Sequence, residues 1–150
     1  MFQELVEGKI DQLIALIEKL LSGLSNRDYA QSKKRDCGRF DEKYIKVVML
    51  SLLSDVKIYI PHSEYEVGAD GYVDVYLQPA FEPQTSTHYF IELKYAKARA
   101  TQHTLDAKEH EGVQAMSAYL QSDAAKAATP LQAYVLVFKK DHCVRKVLCS

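Results

Sequence analysis

The chain has 150 residues, of which 47% are hydrophobic and 26% charged, with a formal net charge of -1. That length suits one domain able to bury a core without staples, and the balance excludes wholesale disorder. Its apolar runs are broken by charge within about ten residues, too short to span a bilayer, and the near-neutral total leaves any affinity for nucleic acid to local charge.

In chain order, residues 2–24 have the spacing of an amphipathic helix, with Leu5, Ile10, Leu13, Ile14, Ile17, Leu20, Leu21 and Leu24 on one stripe. Ser22, Gly23, Ser25 and Asn26 are expected to stop it, and 26–39 reads as a polar, basic connector. A second helix is expected over 41–54, with Asp41 as N-cap and Ile45, Val48, Met49 and Leu52 inward. The period then changes. Val56 to Ile60 alternates as a strand that Pro61 breaks, and Glu64 to Val67 gives another short one. A turn at Gly68–Gly71 leads to two clean alternations, Tyr72–Leu77 and His88–Tyr95, joined by a long loop over 78–87. Asp106 and Glu109 form a capping signal for a helix running to about 121, with Val113, Met116 and Leu120 inward. Gly112 inside it costs roughly 1 kcal/mol relative to Ala, so the helix is expected to bend or pack closely there. A small-residue linker ends at Pro130. Gln132–Phe138 then reads as a buried strand and Val144–Leu148 as an edge strand. This order predicts a mixed sheet flanked by helices, an α/β or α+β sandwich in one domain: 1–39 as helix and basic connector, 40–150 as core.

Chemistry concentrates in the two clean strands. Alternation puts Ile91 and Leu93 on one face of Phe90-Ile-Glu-Leu-Lys94, with Glu92 and Lys94 together on the other, about 7 Å apart. Asp74 shares its face with Tyr72 and Tyr76, opposite Val73, Val75 and Leu77. If the strands pair as an antiparallel hairpin, Asp74 and Glu92 meet. Two adjacent carboxylates repel unless a cation lies between them, and hard oxygen ligands select Mg²⁺ or Mn²⁺. A neighbouring lysine can orient or deprotonate a water and stabilise phosphorane-like charge. The alternative is an ordinary solvent-exposed Glu–Lys pair on a hairpin.

These pieces resemble a known family. Gly8–Leu21, Asp41-Glu-Lys-Tyr44, Glu64-Tyr-Glu-Val67, Gly71-Tyr-Val-Asp-Val-Tyr76, Tyr89-Phe-Ile-Glu-Leu-Lys-Tyr-Ala-Lys97 and Gly112-Val-Gln-Ala-Met-Ser-Ala-Tyr119 follow one another as in the PD-(D/E)XK nuclease domain found at the C-terminus of bacterial proteins that begin with a predicted AAA-type ATPase. The resemblance implies a restriction-endonuclease-like core and metal-dependent hydrolysis of nucleic acid, DNA being the expected substrate. It puts Asp74, Glu92 and Lys94 on the metal-binding and catalytic positions, with the Leu93 carbonyl as a further ligand. Glu42 falls on an acidic position that helps hold the metal, though a glutamate there also suits the helix macrodipole. Gln114 falls where the family carries a glutamine near the catalytic lysine, or is simply a surface residue; Tyr119 is expected to pack. The basic stretches, Lys33, Lys34, Arg35, Arg39, Lys43 and Lys46, then Lys94, Lys97 and Arg99, flank the motif. Lys43, Lys46, Lys97 and Arg99 are the expected phosphate contacts, or else part of solvated faces.

The chain departs from the family's pattern in places. Val73 stands where the motif's proline would be, and Tyr72 where relatives often carry a basic residue. No Walker-type phosphate loop is present, so any ATPase partner is expected in another domain or chain. The five histidines lack zinc-ligand spacing, and no Gly-x-Ser-x-Gly elbow supports a serine hydrolase. Three widely spaced cysteines (Cys37, Cys143, Cys149) and an N-terminus without signal-peptide order lead us to expect free thiols in the cytoplasm and no membrane partner. A catalytically silent nuclease-fold module, binding nucleic acid or a partner next to an ATPase, is the rival expectation.

Overall fold

The computed structural model describes residues 2–32, 41–55, 57–68, 71–81 and 86–150. Two helices, α1 (Phe2–Val6) and α2 (Asp11–Ser32), stand where one was expected. The chain turns at Gly8, whose φ of 97° is open to glycine and strained for other residues. The polar residues 22–26 do not stop α2. Each costs at most about 1 kcal/mol in a helix, and burial of Ile10, Leu13, Ile14, Ile17 and Leu21 outweighs that. The expected connector is therefore helical to residue 32; Lys33, Lys34, Arg35, Cys37 and Arg39 lie outside the described residues.

The third helix, α3 (Glu42–Ser54), begins as its sequence predicts, with Asp41 Oδ1 accepting from the Tyr44 amide at 2.7 Å. Then comes β1 (Tyr59–Glu66), one strand rather than two. Pro61 does not break it because β1 is the sheet's edge, where a residue without an N–H can point away from the neighbour. The strands β2 (Tyr72–Pro79) and β3 (His88–Ala96) follow, then α4 (Gln102–Tyr119) and α5 (Asp123–Ala127), and finally β4 (Leu131–Lys139) and β5 (His142–Cys149). The cap of α4 is Thr101, whose hydroxyl accepts from Thr104 N at 3.3 Å. Asp106, the cap expected from sequence, pairs instead with Arg145 at 3.0 Å. The small-residue stretch before Pro130 holds α5, capped by Ser122. Alanine needs little more than a cap to form a helical turn.

The sheet order is β1-β2-β3-β4-β5. β3 and β4 are parallel, joined through α4 and α5, and every other pair is antiparallel. α1, α2 and α3 cover one face, packing on Val75, Leu77, Tyr89, Ile91, Leu93, Leu136 and Phe138. α4 and α5 cover the other, over Phe90, Ala133, Val135 and Val137. This is the expected mixed sheet flanked by helices. Cys143 and Cys149 are free thiols on β5. No described helix is long and apolar enough to cross a membrane.

Gly112 fixes α4 against the sheet. A Cβ there would stand 2.5 Å from Val135 Cγ1, so the helix backbone approaches β4 as closely as a glycine allows. Gly112→Ala gains roughly 1 kcal/mol of helix propensity but overpacks the contact at a cost of about 1–3 kcal/mol. Thermal unfolding should show a net drop in Tm of a few degrees, partly recovered when Val135→Ala makes room. A Tm above wild type would show that the contact yields freely.

Candidate active site

The register between β2 and β3 pairs Leu77 with Tyr89, Tyr76 with Phe90 and Val75 with Ile91. The next pair in that register is Asp74 with Glu92, and there the ladder ends. Asp74 Oδ2 takes the Leu93 amide at 2.8 Å instead, so a side chain stands where a β2 carbonyl would have continued the ladder. The other edge of β2 is irregular at the same level. Its pairing with β1 skips from Ser63–Val75 to Tyr65–Val73, across Glu64, whose φ is 52°. A non-glycine residue held there stores of order 1–3 kcal/mol. The sheet thus opens at the carboxylate pair.

Glu92 is buried, 6% exposed, because β3 is the central strand with helices over both faces. Its Oε2 has no hydrogen-bond partner. Burial first, then Asp74 as hydrogen-bond partner and like charge, lifts its carboxyl well above the usual range; Lys94 acts in the opposite sense. An unsatisfied buried oxygen beside a second carboxylate is what a divalent cation would satisfy. Among the described residues no three His, Cys, Asp or Glu side chains form a metal cage by themselves. The residues there that could hold a cation are Asp74, Glu92 and a backbone oxygen. In an extended strand a residue's amide and carbonyl point to the same side. The Leu93 carbonyl thus faces the opening that its amide faces.

Lys94 lies on the same face, and its Nζ donates to Glu111 Oε1 on α4 at 2.9 Å. The lysine side chain is 13% exposed and the glutamate 64%. Burial acts to lower the lysine's pKa, but Glu111, Glu42 and Glu92 together raise it, so the amine is a fixed ammonium. Glu42 is brought to the end of β3, where its Oε1 accepts from the Tyr95 amide at 3.3 Å. It acts on both Glu92 and Lys94 through its charge without completing a three-carboxylate cage. Gln114 is exposed one turn beyond Glu111. The helix residue that bonds Lys94 is thus Glu111, which the sequence reading does not single out. Tyr119 borders the opening. Its ring lies 3.6 Å from where a Gly71 Cβ would be, and burial, then Glu92 and Asp74, raise its hydroxyl's pKa.

The basic residues divide. Lys43, Lys97 and Arg99 are exposed. Lys46 is ion-paired with Glu64, which ties α3 to the irregular part of β1 and removes much of that lysine's free charge. Alternation along β3 marks Lys94 but gives no sign of Glu111, which only the packing of α4 brings to it.

Residues 40–147 match the PD-(D/E)XK nuclease superfamily. No curated protein and no solved structure matches the chain. The match spans well over half of the sequence, including Asp74, Glu92 and Lys94: the chain belongs to the PD-(D/E)XK nuclease superfamily.

A buried carboxyl with a raised pKa binds its proton more tightly in the folded than in the unfolded chain. Glu92's contribution to the stability of the metal-free protein is then fully present below the unfolded value of 4.5 and is lost as pH rises toward the raised folded value. Glu92→Gln removes that dependence. Metal-free Glu92→Gln should match wild type near about pH 4 and unfold at a higher temperature near about pH 8, measured by thermal scans in chelator. Parallel curves for the two proteins would mean that Glu92 carries no such penalty.

Proposed function

We propose that this member of the superfamily is a divalent-metal-dependent nuclease that hydrolyses phosphodiester bonds of nucleic acid through Asp74, Glu92 and Lys94. The single observation that carries the reading is the buried, unpartnered Glu92 oxygen beside Asp74 with an ammonium on the same face. Solvating that pair needs positive charge, and the lysine's bond is already directed elsewhere. Asp74, Glu92 and the Leu93 carbonyl would hold the cation. When bound there it supplies Lewis-acid polarisation of the scissile phosphoryl group.

The protein's own groups do the rest. Asp74 keeps one oxygen on the Leu93 amide and so holds its carboxylate at the opening. Lys94, kept charged by the surrounding carboxylates, is no base in this state. It orients the attacking water and offsets negative charge developing on the phosphate. Glu42 and Tyr119 border the opening, and Gln114 lies further along α4, within the sequence contacted by an approaching strand. Lys43, Lys97 and Arg99 meet flanking phosphates, with Lys46 contributing less while Glu64 holds it. Binding carried by such phosphate contacts is expected to weaken steeply as salt rises.

Mg²⁺ or Mn²⁺ as the cation, DNA as the substrate, one domain with its core in 40–150, and a bacterial cytoplasmic setting beside an AAA-type ATPase domain in cis or in trans are the finer parts of the proposal. They rest on the ligand chemistry and the sequence resemblance.

The purified chain should nick or degrade plasmid or linear DNA with Mg²⁺ or Mn²⁺ and fall silent in excess chelator. Lys94→Ala and Asp74→Ala should each lower the rate by at least about 100-fold. Cleavage that survives both substitutions would place the chemistry elsewhere. Intact DNA and RNA under every divalent cation tried would favour the catalytically silent binding module.

A further inference from the structure

Lys94 and Glu92 share a face of β3, about 7 Å apart, and a lysine stem is long and flexible enough to fold back toward that neighbour. The Asp74–Glu92 pair is an attractor for such an ammonium, with Glu92 buried, Asp74 half-buried beside it and one Glu92 oxygen short of a hydrogen-bond partner. An ammonium lying between the two carboxylates would occupy the place of the cation. It does not lie there. Glu92 Oε2 has no partner, and Lys94 Nζ instead bonds Glu111 at 2.9 Å.

Glu111 is well placed to compete. It is mostly exposed, so its charge pays little desolvation penalty, and Lys94 holds its pKa low. Its backbone is fixed as well, because the next residue is Gly112, seated on Val135 with no space for a methyl group. A shift of α4 that released Lys94 would have to open that contact.

We infer that Glu111 is a positioning residue: it holds the Lys94 ammonium on the α4 side, so that Asp74 and Glu92 stay open to a divalent cation. This rests on the metal-dependent reading of the same site. The role assigned here is one of direction and not of stability. Without Glu111 the lysine turns onto the carboxylates and competes with the metal as an internal counter-ion.

The test is Mn²⁺ binding to the intact chain by calorimetry, with no nucleic acid present. Glu111→Ala should weaken Mn²⁺ binding roughly tenfold, as loss of an outer-shell partner commonly does. Glu111→Gln, whose amide oxygen still accepts from the ammonium, should stay close to wild type. In a Lys94→Met background, Glu111→Ala should change the affinity by less than about twofold, since no ammonium is left to misplace. Wild-type affinity in Glu111→Ala would overturn the inference. So would an equal loss in the Lys94→Met background, which would reduce Glu111 to a distant negative charge. A wild-type chain that binds no Mn²⁺ at all would remove the metal-dependent function itself, and this role with it.

Discussion

The bond from the Leu93 amide to the Asp74 carboxylate decides where the sheet opens. One residue earlier β2 and β3 are in register, with Val75 opposite Ile91; at Asp74 the acceptor becomes a side chain. A continued ladder would leave the Leu93 carbonyl paired to β2 and the two acids in a closed sheet. The switch to a side-chain acceptor satisfies the buried amide while freeing backbone and carboxylate oxygens to face a common space. The superfamily assignment and the geometry meet at this point.

Much of the surrounding structure fixes that opening. The left-handed Glu64 interrupts β1 at the level of Asp74 and offers its carboxylate to Lys46 of α3. Glu42, four residues earlier on the same helix, reaches the Tyr95 amide at the end of β3. On the other face α4 is seated by Gly112 and supplies Glu111. The site therefore lies between two helices that are each tied to the sheet by a charged group. Energetically it is a local defect, with a buried oxygen unsatisfied, carboxylates adjacent and one strained residue. Folded proteins tolerate such defects where a function needs them, with the packed core elsewhere supplying the stability. Here that core is the double layer of apolar side chains on either side of β3 and β4.

The parts of this arrangement legible in the sequence are those set by local periodicity. Alternation in Tyr89–Tyr95 puts Glu92 and Lys94 on one face. In Tyr72–Leu77 it holds only from Val75 onward, since Val73 packs with Tyr76 and Phe90 on the α4 side while Val75 and Leu77 face α1–α3, and it is the hairpin that brings Asp74 to β3. Asp41 capped its helix as its residue type suggests. The features that escaped depend on neighbours distant in the chain. Pro61 interrupts nothing because its strand is an edge. Residues 22–26 stay helical because the stripe before them is buried. Thr101 caps α4 while Asp106 is drawn to Arg145. Nothing in the sequence of α4 marks Glu111 as the residue that bonds Lys94; the seating of the helix at Gly112 on Val135 brings that turn to the sheet. Lys46 reads as a free cation until β1 brings Glu64 to it.

The most direct test of the central claim is a crystal of the chain soaked in Mn²⁺ and measured for anomalous scattering. The expected result is a peak bonded to carboxylate oxygens of Asp74 and Glu92 and to the Leu93 carbonyl, with Lys94 still on Glu111. A site that stays empty at saturating Mn²⁺, with Lys94 Nζ lying between the two carboxylates, would contradict it.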